Sequence, residues 1–185
     1  MVLPLLLLAA PLVQDTGQVV RDGVSLPRAV EVAGQPLVLN GTATRTKTFL
    51  KVKVYVAGLY LPAPESDATR ILEADQPRRL VMQFVHDVDK KKICDAWDEA
   101  LAKNTPDASE QLKAQFATLC DYMEDVKKGD GFVFTYLPGA GTTVEVKGQT
   151  KGVIEGKEFA DALFKAWIGP KPGPGEGFKR QLLGL

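Results

Sequence analysis

Residues 39–62, LNGTATRTKTFLKVKVYVAGLYLP, decide the fold of this chain. Arg45 stands among four threonines, at positions 42, 44, 46 and 48. Residues 51–61 then alternate and end in a run rich in Val, Leu and Tyr, which is a composition typical of a β-strand. The stretch therefore predicts two paired strands that arrange one arginine, several threonines and two tyrosines, Tyr55 and Tyr60, around an apolar surface.

Further strands and helices are predicted in blocks on both sides of this stretch. Hydrophobic alternation and turn residues predict strands over residues 26–32, 35–39, 79–85, 132–136, 142–146 and 150–154. Helical periodicity predicts helices within residues 69–73, 90–127, 159–167 and 178–185, with a break at 104–107. Strands that come in blocks around one helical hairpin predict an α+β fold rather than a β-α alternation.

Composition limits the class of protein. A chain of 185 residues with 45% hydrophobic and 25% charged content is ordinary for one globular domain with a full core. Lys+Arg and Asp+Glu both number 23, so no broad basic field exists to hold nucleic acid. The pI near 6.6 gives no reason to expect adsorption on an anionic membrane.

The first residues predict export. The apolar run over residues 2–13 is shorter than the ~20 residues that a membrane-spanning helix needs. It contains the small pair Ala9-Ala10 and is followed by a polar stretch, as at a signal peptidase site. We therefore predict a signal peptide over residues 1–13, a single domain over residues 14–185 and a periplasmic location. No Lys or Arg precedes Arg21, so the usual positive first region is missing. The alternative is a short helix that packs on the domain.

Two cysteines, Cys94 and Cys120, lie on the two arms of the predicted helical hairpin. Cys94 lies about ten residues before the break and Cys120 about thirteen after it, which at ~1.5 Å per residue puts them at nearly the same height. A disulfide is therefore possible, but two small buried hydrophobes in a reducing compartment fit equally well. The chain has no CxxC motif or Cys/His cluster, so we predict neither a metal site nor a cofactor.

Several phrases spread over the chain resemble one family in their order and spacing. They are GVSLP at 23–27, the stretch 39–62, FVHDV at 84–88, YLPG at 136–139, GKEF at 156–159, ALF at 162–164 and WIGP at 167–170. This pattern resembles the chalcone isomerase-like family, specifically its bacterial branch. The resemblance implies an open-faced β-sandwich, in which a large antiparallel sheet carries helices on one face, together with a ligand cleft.

The resemblance extends to Arg45, which is the strongest candidate site residue. It is similar to the arginine that orients the substrate phenolate in plant chalcone isomerases and holds a carboxylate in fatty-acid-binding relatives. A guanidinium suits both roles because it is always charged and presents a planar fork of donors. The alternative interpretation is a solvent-facing arginine on a threonine-rich strand.

Tyr55 falls where the plant enzymes carry a catalytic threonine. Its hydroxyl could hold a carboxylate or ketone, as related fatty-acid-binding members are expected to do, while its ring fills space that a flavonoid needs. Strict strand alternation places Tyr55 on the face of Lys51 and Lys53, opposite Val54.

The later strands and the helices supply weaker candidates. Tyr136 and Thr150 are expected to border the same cleft, and Asn104 and Tyr122 are the polar residues available where family enzymes use helix-borne groups. Apolar candidates for a ligand cavity are Phe84, Phe116, Leu119 and Met123, although apolar residues at helical spacing belong to the core far more often than to a pocket. His86, the only histidine, is interpreted as a charge-paired side chain because no nucleophile is spaced to partner it.

These observations leave three functional hypotheses. The favoured one is a non-catalytic exported protein that binds a small acidic amphiphile, fatty-acid-like or phenolic, with the head on Arg45 and Tyr55. The alternative is an intramolecular lyase or isomerase of the chalcone-flavanone type, in which Arg45 polarises a phenolate or enolate. The third is a structural or partner-binding periplasmic module.

Overall fold

The structure is a computed structural model that describes residues 17–47 and 50–185, so the predicted signal segment lies outside the described residues. The described strands are β1 (Gln18–Arg21), β2 (Val24–Pro27), β3 (Ala29–Val32), β4 (Gln35–Lys47), β5 (Val52–Leu61), β6 (Arg78–Phe84), β7 (Gly131–Leu137), β8 (Gly141–Val146) and β9 (Gln149–Ile154). The described helices are α1 (Ala68–Glu73), α2 (Lys90–Asn104), α3 (Glu110–Tyr122), α4 (Lys157–Ile168) and α5 (Glu176–Leu182).

Strands β3 to β9 form one seven-stranded antiparallel sheet in which every strand pairs with its neighbours in the sequence. Its longest pair is the β4–β5 hairpin, which confirms the strand pair predicted over residues 39–62. The strand predicted over residues 26–32 is divided. Its first part, β2, pairs with β1 in a separate two-stranded sheet, and β3 pairs with β4, because the chain turns between the two sheets at Arg28.

The helices cover one face of the large sheet and enclose the main core. Helix α4 is central because its apolar residues recur with helical period, and Phe159, Leu163 and Trp167 are all buried. The Trp167 ring lies 5.5 Å from that of Trp97 on α2 and 5.8 Å from that of Phe134 on β7. On the opposite face, the β1–β2 hairpin covers only a small apolar cluster. The predicted α+β open-faced sandwich is thus confirmed.

Helices α2 and α3 are joined by a disulfide between Cys94 and Cys120, whose α-carbons lie 5.3 Å apart. The near-equal height expected from the helical hairpin is therefore present. Of the two interpretations left open by the sequence, the disulfide is the one that the structure contains. It ties α2 to α3 close to the start of α2.

The β4–β5 hairpin contains an irregularity that strict alternation misses. Arg45 pairs with Tyr55 and Thr46 with Lys53, so Val54 is an extra residue on β5, as in a β-bulge. The bulge separates the two side chains that alternation places together. Lys53 bonds Asp22 beside the β1–β2 hairpin, whereas Tyr55 packs against the main core under the helices. The prediction that Tyr55 shares a face with Lys51 and Lys53 is wrong for this reason.

Helix α5 lies directly on β4 near the middle of that strand. A β-carbon at Gly41 would lie 2.2 Å from the carbonyl oxygen of Gln181, so only glycine allows this approach. The neighbouring Asn40 amide donates to the carbonyl of Leu182 over 2.9 Å. The contact brings Phe178 of α5 against the ring of Tyr55, at 5.9 Å between centroids.

Candidate functional site

A cavity of about 540 Å³ lies between the sheet and helices α2 and α4, at the end of the sheet nearest the β4–β5 turn. This volume falls within the range of small-molecule sites. The deeper walls are apolar and aromatic: Met82, Phe84, Ile93, Trp97, Phe132 and Trp167. Such walls suit a hydrocarbon or aromatic group, because burying apolar surface is the main source of affinity there.

Charged residues line the rest of the cavity, and most of them are already paired. Glu99 bonds Lys103 over 2.5 Å, which, with smaller effects from Arg45 and Lys47, lowers the pKa of its carboxyl. The other paired lining residues are Asp87 with Lys127, Lys92 with Asp89, and Asp95 with Lys91.

Two cations of the lining have no such partner. Arg45, which is half-buried, and Lys47, which is exposed, make no side-chain hydrogen bond or ion pair to any residue that the structure describes. Since the lining acids are occupied by lysines, these two cations leave an uncompensated positive charge at the cavity. The cavity is therefore suited to an anionic group.

Tyr55 lies beside Arg45 because the two residues are paired across the hairpin. The Trp167 indole Nε1 donates to the Tyr55 hydroxyl oxygen over 3.2 Å, and the ring packs edge-on against Phe84 at 5.7 Å. Burial raises the pKa of Tyr55 to about 12, although the Trp167 hydrogen bond and the Arg45 charge oppose this rise. The hydroxyl is thus neutral at ordinary pH, and its hydrogen has no acceptor among the described residues.

Trp167 is a cavity-lining residue whose contact with Tyr55 the sequence did not predict. It was predicted only as one apolar position of an amphipathic helix, yet its indole fixes the hydroxyl of Tyr55. The two residues are 112 positions apart in the chain, so no local spacing could have connected them. Lys47 was missed as well, although its place two residues after Arg45 on β4 puts it at the same end of the hairpin.

Tyr136 and Thr150 do not line this cavity, and the prediction that they border it is wrong. Tyr136 is buried near α1, where its hydroxyl donates to Asp75 over 2.6 Å and its ring lies against Arg78. Thr150 is exposed on the edge strand β9. For Thr150 the cause is the width of the sheet, since β9 is four strands from β5, or roughly 19 Å at the usual strand spacing. Tyr136 lies at the opposite end of β7 from Phe132, which does line the cavity.

The helix-borne candidates also lie elsewhere. Asn104 closes the end of α2, where its amide donates to the carbonyls of Ala100 and Lys171. Tyr122 packs against Gly152 at the far edge of the sheet. Among the apolar candidates, Phe84 lines the cavity, while Phe116, Leu119 and Met123 belong to the core. His86 is exposed and lines the cavity next to Asp87.

Two further observations concern the residues that the structure describes. They contain no group of three or more His, Cys, Asp or Glu side chains arranged to hold a metal ion. They also contain no helix that combines the length and the apolar character needed to cross a membrane.

The described residues define an open-faced sandwich protein with a cavity that has apolar walls and unpaired cations. A family model described as chalcone isomerase-like matches residues 18–184, and the chain belongs to the chalcone isomerase-like family. Among solved structures, an Arabidopsis thaliana fatty-acid binding protein is similar, with a TM-score of 0.71 and 17% identity over 90% of this chain and 96% of that chain. At this identity the likeness shows the fold. No curated protein matches the chain in sequence.

Proposed function

We propose that this protein is a non-catalytic binding protein for a small acidic amphiphile, either fatty-acid-like or phenolic. The observation that carries the proposal is the unpaired, half-buried Arg45 beside the neutral hydroxyl of Tyr55, at one side of an apolar cavity. The head of the ligand lies on these two residues and its tail lies among the aromatic walls.

The head group is anionic because the cavity offers cations and donors without partners. The guanidinium of Arg45 pairs a carboxylate through two parallel hydrogen bonds, or a phenolate through one. Tyr55 donates its hydroxyl hydrogen to the same oxygen, since its pKa of about 12 keeps it protonated. Lys47 adds a second positive charge at the cavity. A neutral ligand would leave all three groups without a strong partner.

The tail is apolar because the deeper lining offers few polar contacts. Met82, Phe84 and Phe132 of the sheet face Ile93 and Trp97 of α2 across the cavity. Enclosing each methylene of a ligand there contributes about 0.8 kcal/mol. The similarity in fold to a protein described as a fatty-acid binding protein supports this ligand class.

The lyase alternative has weaker support from the site. It would use Arg45 to polarise a phenolate or enolate, but the partner at position 55 is a tyrosine that stays protonated at neutral pH and is a poor base. The histidine of the lining, His86, is exposed beside Asp87 rather than enclosed with Arg45. A structural or partner-binding role remains the third alternative, and it does not use the cavity.

Export to the periplasm is part of the proposal. The disulfide between Cys94 and Cys120 supports it, because such bonds persist in oxidising compartments and are rare in the cytosol. The apolar segment at residues 2–13 is the signal that this proposal requires.

The test is mass spectrometry of small molecules extracted from protein purified gently from its own host. We compare wild type with Arg45→Ala, and use Arg28→Ala as the matched control because Arg28 is an exposed arginine in the loop between β2 and β3. The expected result is an acidic amphiphile present in wild type and control and depleted in Arg45→Ala. An empty cavity in all three proteins would contradict tight binding.

A second comparison separates the hypotheses with defined ligands. Tyr55→Phe keeps the ring contacts and removes the hydroxyl, so palmitate affinity should fall about tenfold or more, as for a hydrogen bond to a charged group. A hydroxychalcone is incubated with the same proteins and followed by absorbance. Ring closure that disappears in Arg45→Ala would establish the lyase instead.

A further inference from the structure

We infer that the tip of the β4–β5 hairpin docks on the surface of a bilayer that contains anionic lipids. The hairpin tip is defined here as Lys47, Leu50, Lys51 and Val52, which end β4, form the turn and begin β5. Thr48 and Phe49 lie outside the described residues. The inference goes beyond ligand binding, because docking can be measured on protein without a ligand.

The hairpin tip presents apolar side chains to solvent. Leu50 in the turn is 69% exposed, and Val52, two positions later at the start of β5, is 37% exposed. Single exposed apolar residues are common on soluble proteins, so exposure alone decides nothing. Here the two residues project from the end of the longest hairpin of the sheet and are flanked by lysines, which is the pattern of an interfacial segment.

The charge of this segment complements an anionic surface. Residues 45–53 contain Arg45, Lys47, Lys51 and Lys53 and no acid. Lys53 is neutralised by Asp22, whereas the ammonium groups of Lys47 and Lys51 make no ion pair with a described residue. The balanced total charge of 23 cations and 23 acids therefore conceals a local cationic patch. Each lysine near an anionic membrane raises the membrane partition coefficient about fivefold.

The position of the hairpin tip adds a functional reason. Lys47 and Val52 belong both to the tip and to the lining of the cavity. A bilayer in contact with the tip therefore lies against the cavity, and an acidic amphiphile could enter with its tail shielded from water. A protein partner with an acidic surface would not require the exposed Leu50, so the combination of charge and apolar surface favours a membrane.

The experiment is co-sedimentation of purified, delipidated protein with vesicles of phosphatidylcholine, with and without phosphatidylglycerol. The variants are Lys47→Gln with Lys51→Asn, where asparagine tolerates the positive φ of 52° at position 51, and Leu50→Ser. Two matched controls lie far from the tip. Arg28→Gln removes an exposed cation near the opposite end of β4, and Val153→Ser removes a half-exposed apolar residue on β9.

The expected result is that wild type and both controls bind the anionic vesicles and dissociate as salt is raised. Removing both lysines should lower partitioning about 25-fold, and Leu50→Ser about tenfold, while circular dichroism shows an unchanged fold. Absence of wild-type binding, equal binding to neutral vesicles, or variants that bind like their controls would each overturn the inference. If the protein retains its ligand but does not bind vesicles, docking is overturned and the proposed ligand-binding function stands.

Discussion

Removing the disulfide between Cys94 and Cys120 is the perturbation whose size the structure defines best. The two residues are 26 positions apart, and the chain-entropy relation for a closed loop of that length gives about 3.5 kcal/mol of stabilisation at 25 °C. For a protein of this size each kcal/mol shifts the Tm by roughly 2–4 °C, so reduction should lower it by about 7–14 °C. Ligand binding should weaken too, because α2, whose start the bond ties to α3, is one wall of the cavity.

The assay is thermal unfolding followed by circular dichroism, with and without a thiol reductant. The double variant Cys94→Ala/Cys120→Ala is measured in parallel. It should unfold near the reduced wild type and should not respond to reductant. A Tm that stays the same in the reduced wild type and in the double variant would refute the reasoning, since it would mean that the denatured chain gains no freedom when the bond is lost.

The remaining predictions concern a buried ion pair and buried tyrosines. Arg78 is fully buried and bonds Asp161, which is 23% exposed, so Asp161→Ala should cost about 3 kcal/mol by leaving the buried guanidinium without a carboxylate. A free energy of unfolding that falls by less than ~1 kcal/mol, measured from the shift of the urea midpoint at unchanged m, would contradict this. Burial raises the pKa of Tyr55, Tyr60 and Tyr136 to about 12. The folded state then binds these protons more tightly than the unfolded state, so the stability they contribute should be complete below about pH 10 and fall as the pH rises to about 12. Tyrosinate absorbance of the folded protein should therefore appear well above about pH 10. Ionisation of these tyrosines at about pH 10 in the folded protein would contradict the prediction.

The sequence predicts the fold well where patterns are long and local. The alternation in residues 51–61 and the helical period of Phe159, Leu163 and Trp167 correspond to β5 and α4, because each pattern places its apolar side chains on one buried face. The division of residues 26–32 between two sheets was not predictable in this way. Both halves have strand composition, and only pairing with β1 and with β4 separates them.

The site was predictable in part for the same reason. Arg45 and Tyr55 meet because one hairpin pairs them, and a hairpin is a local structure. Trp167 reaches Tyr55 only after the helices pack on the sheet, which no local pattern reports. Thr150 lies elsewhere because alternation predicts a face of a strand but not its distance across a wide sheet. Tyr136 lies elsewhere because alternation does not predict which end of β7 meets the cavity.

The bulge at Val54 connects the cavity to the charge of the hairpin tip. If residues 53–55 followed a regular strand without the bulge, Lys53 and Tyr55 would share a face, and a lysine would compete with Arg45 for the head of any ligand. With it, Lys53 is turned to Asp22 on the outer face and Tyr55 is turned to Trp167 under the helices. One backbone irregularity therefore leaves Arg45 and Tyr55 together in the cavity. Within this hairpin, Tyr55 belongs only to the proposed ligand site and Lys51 only to the proposed docking surface, whereas Lys47 is shared by both.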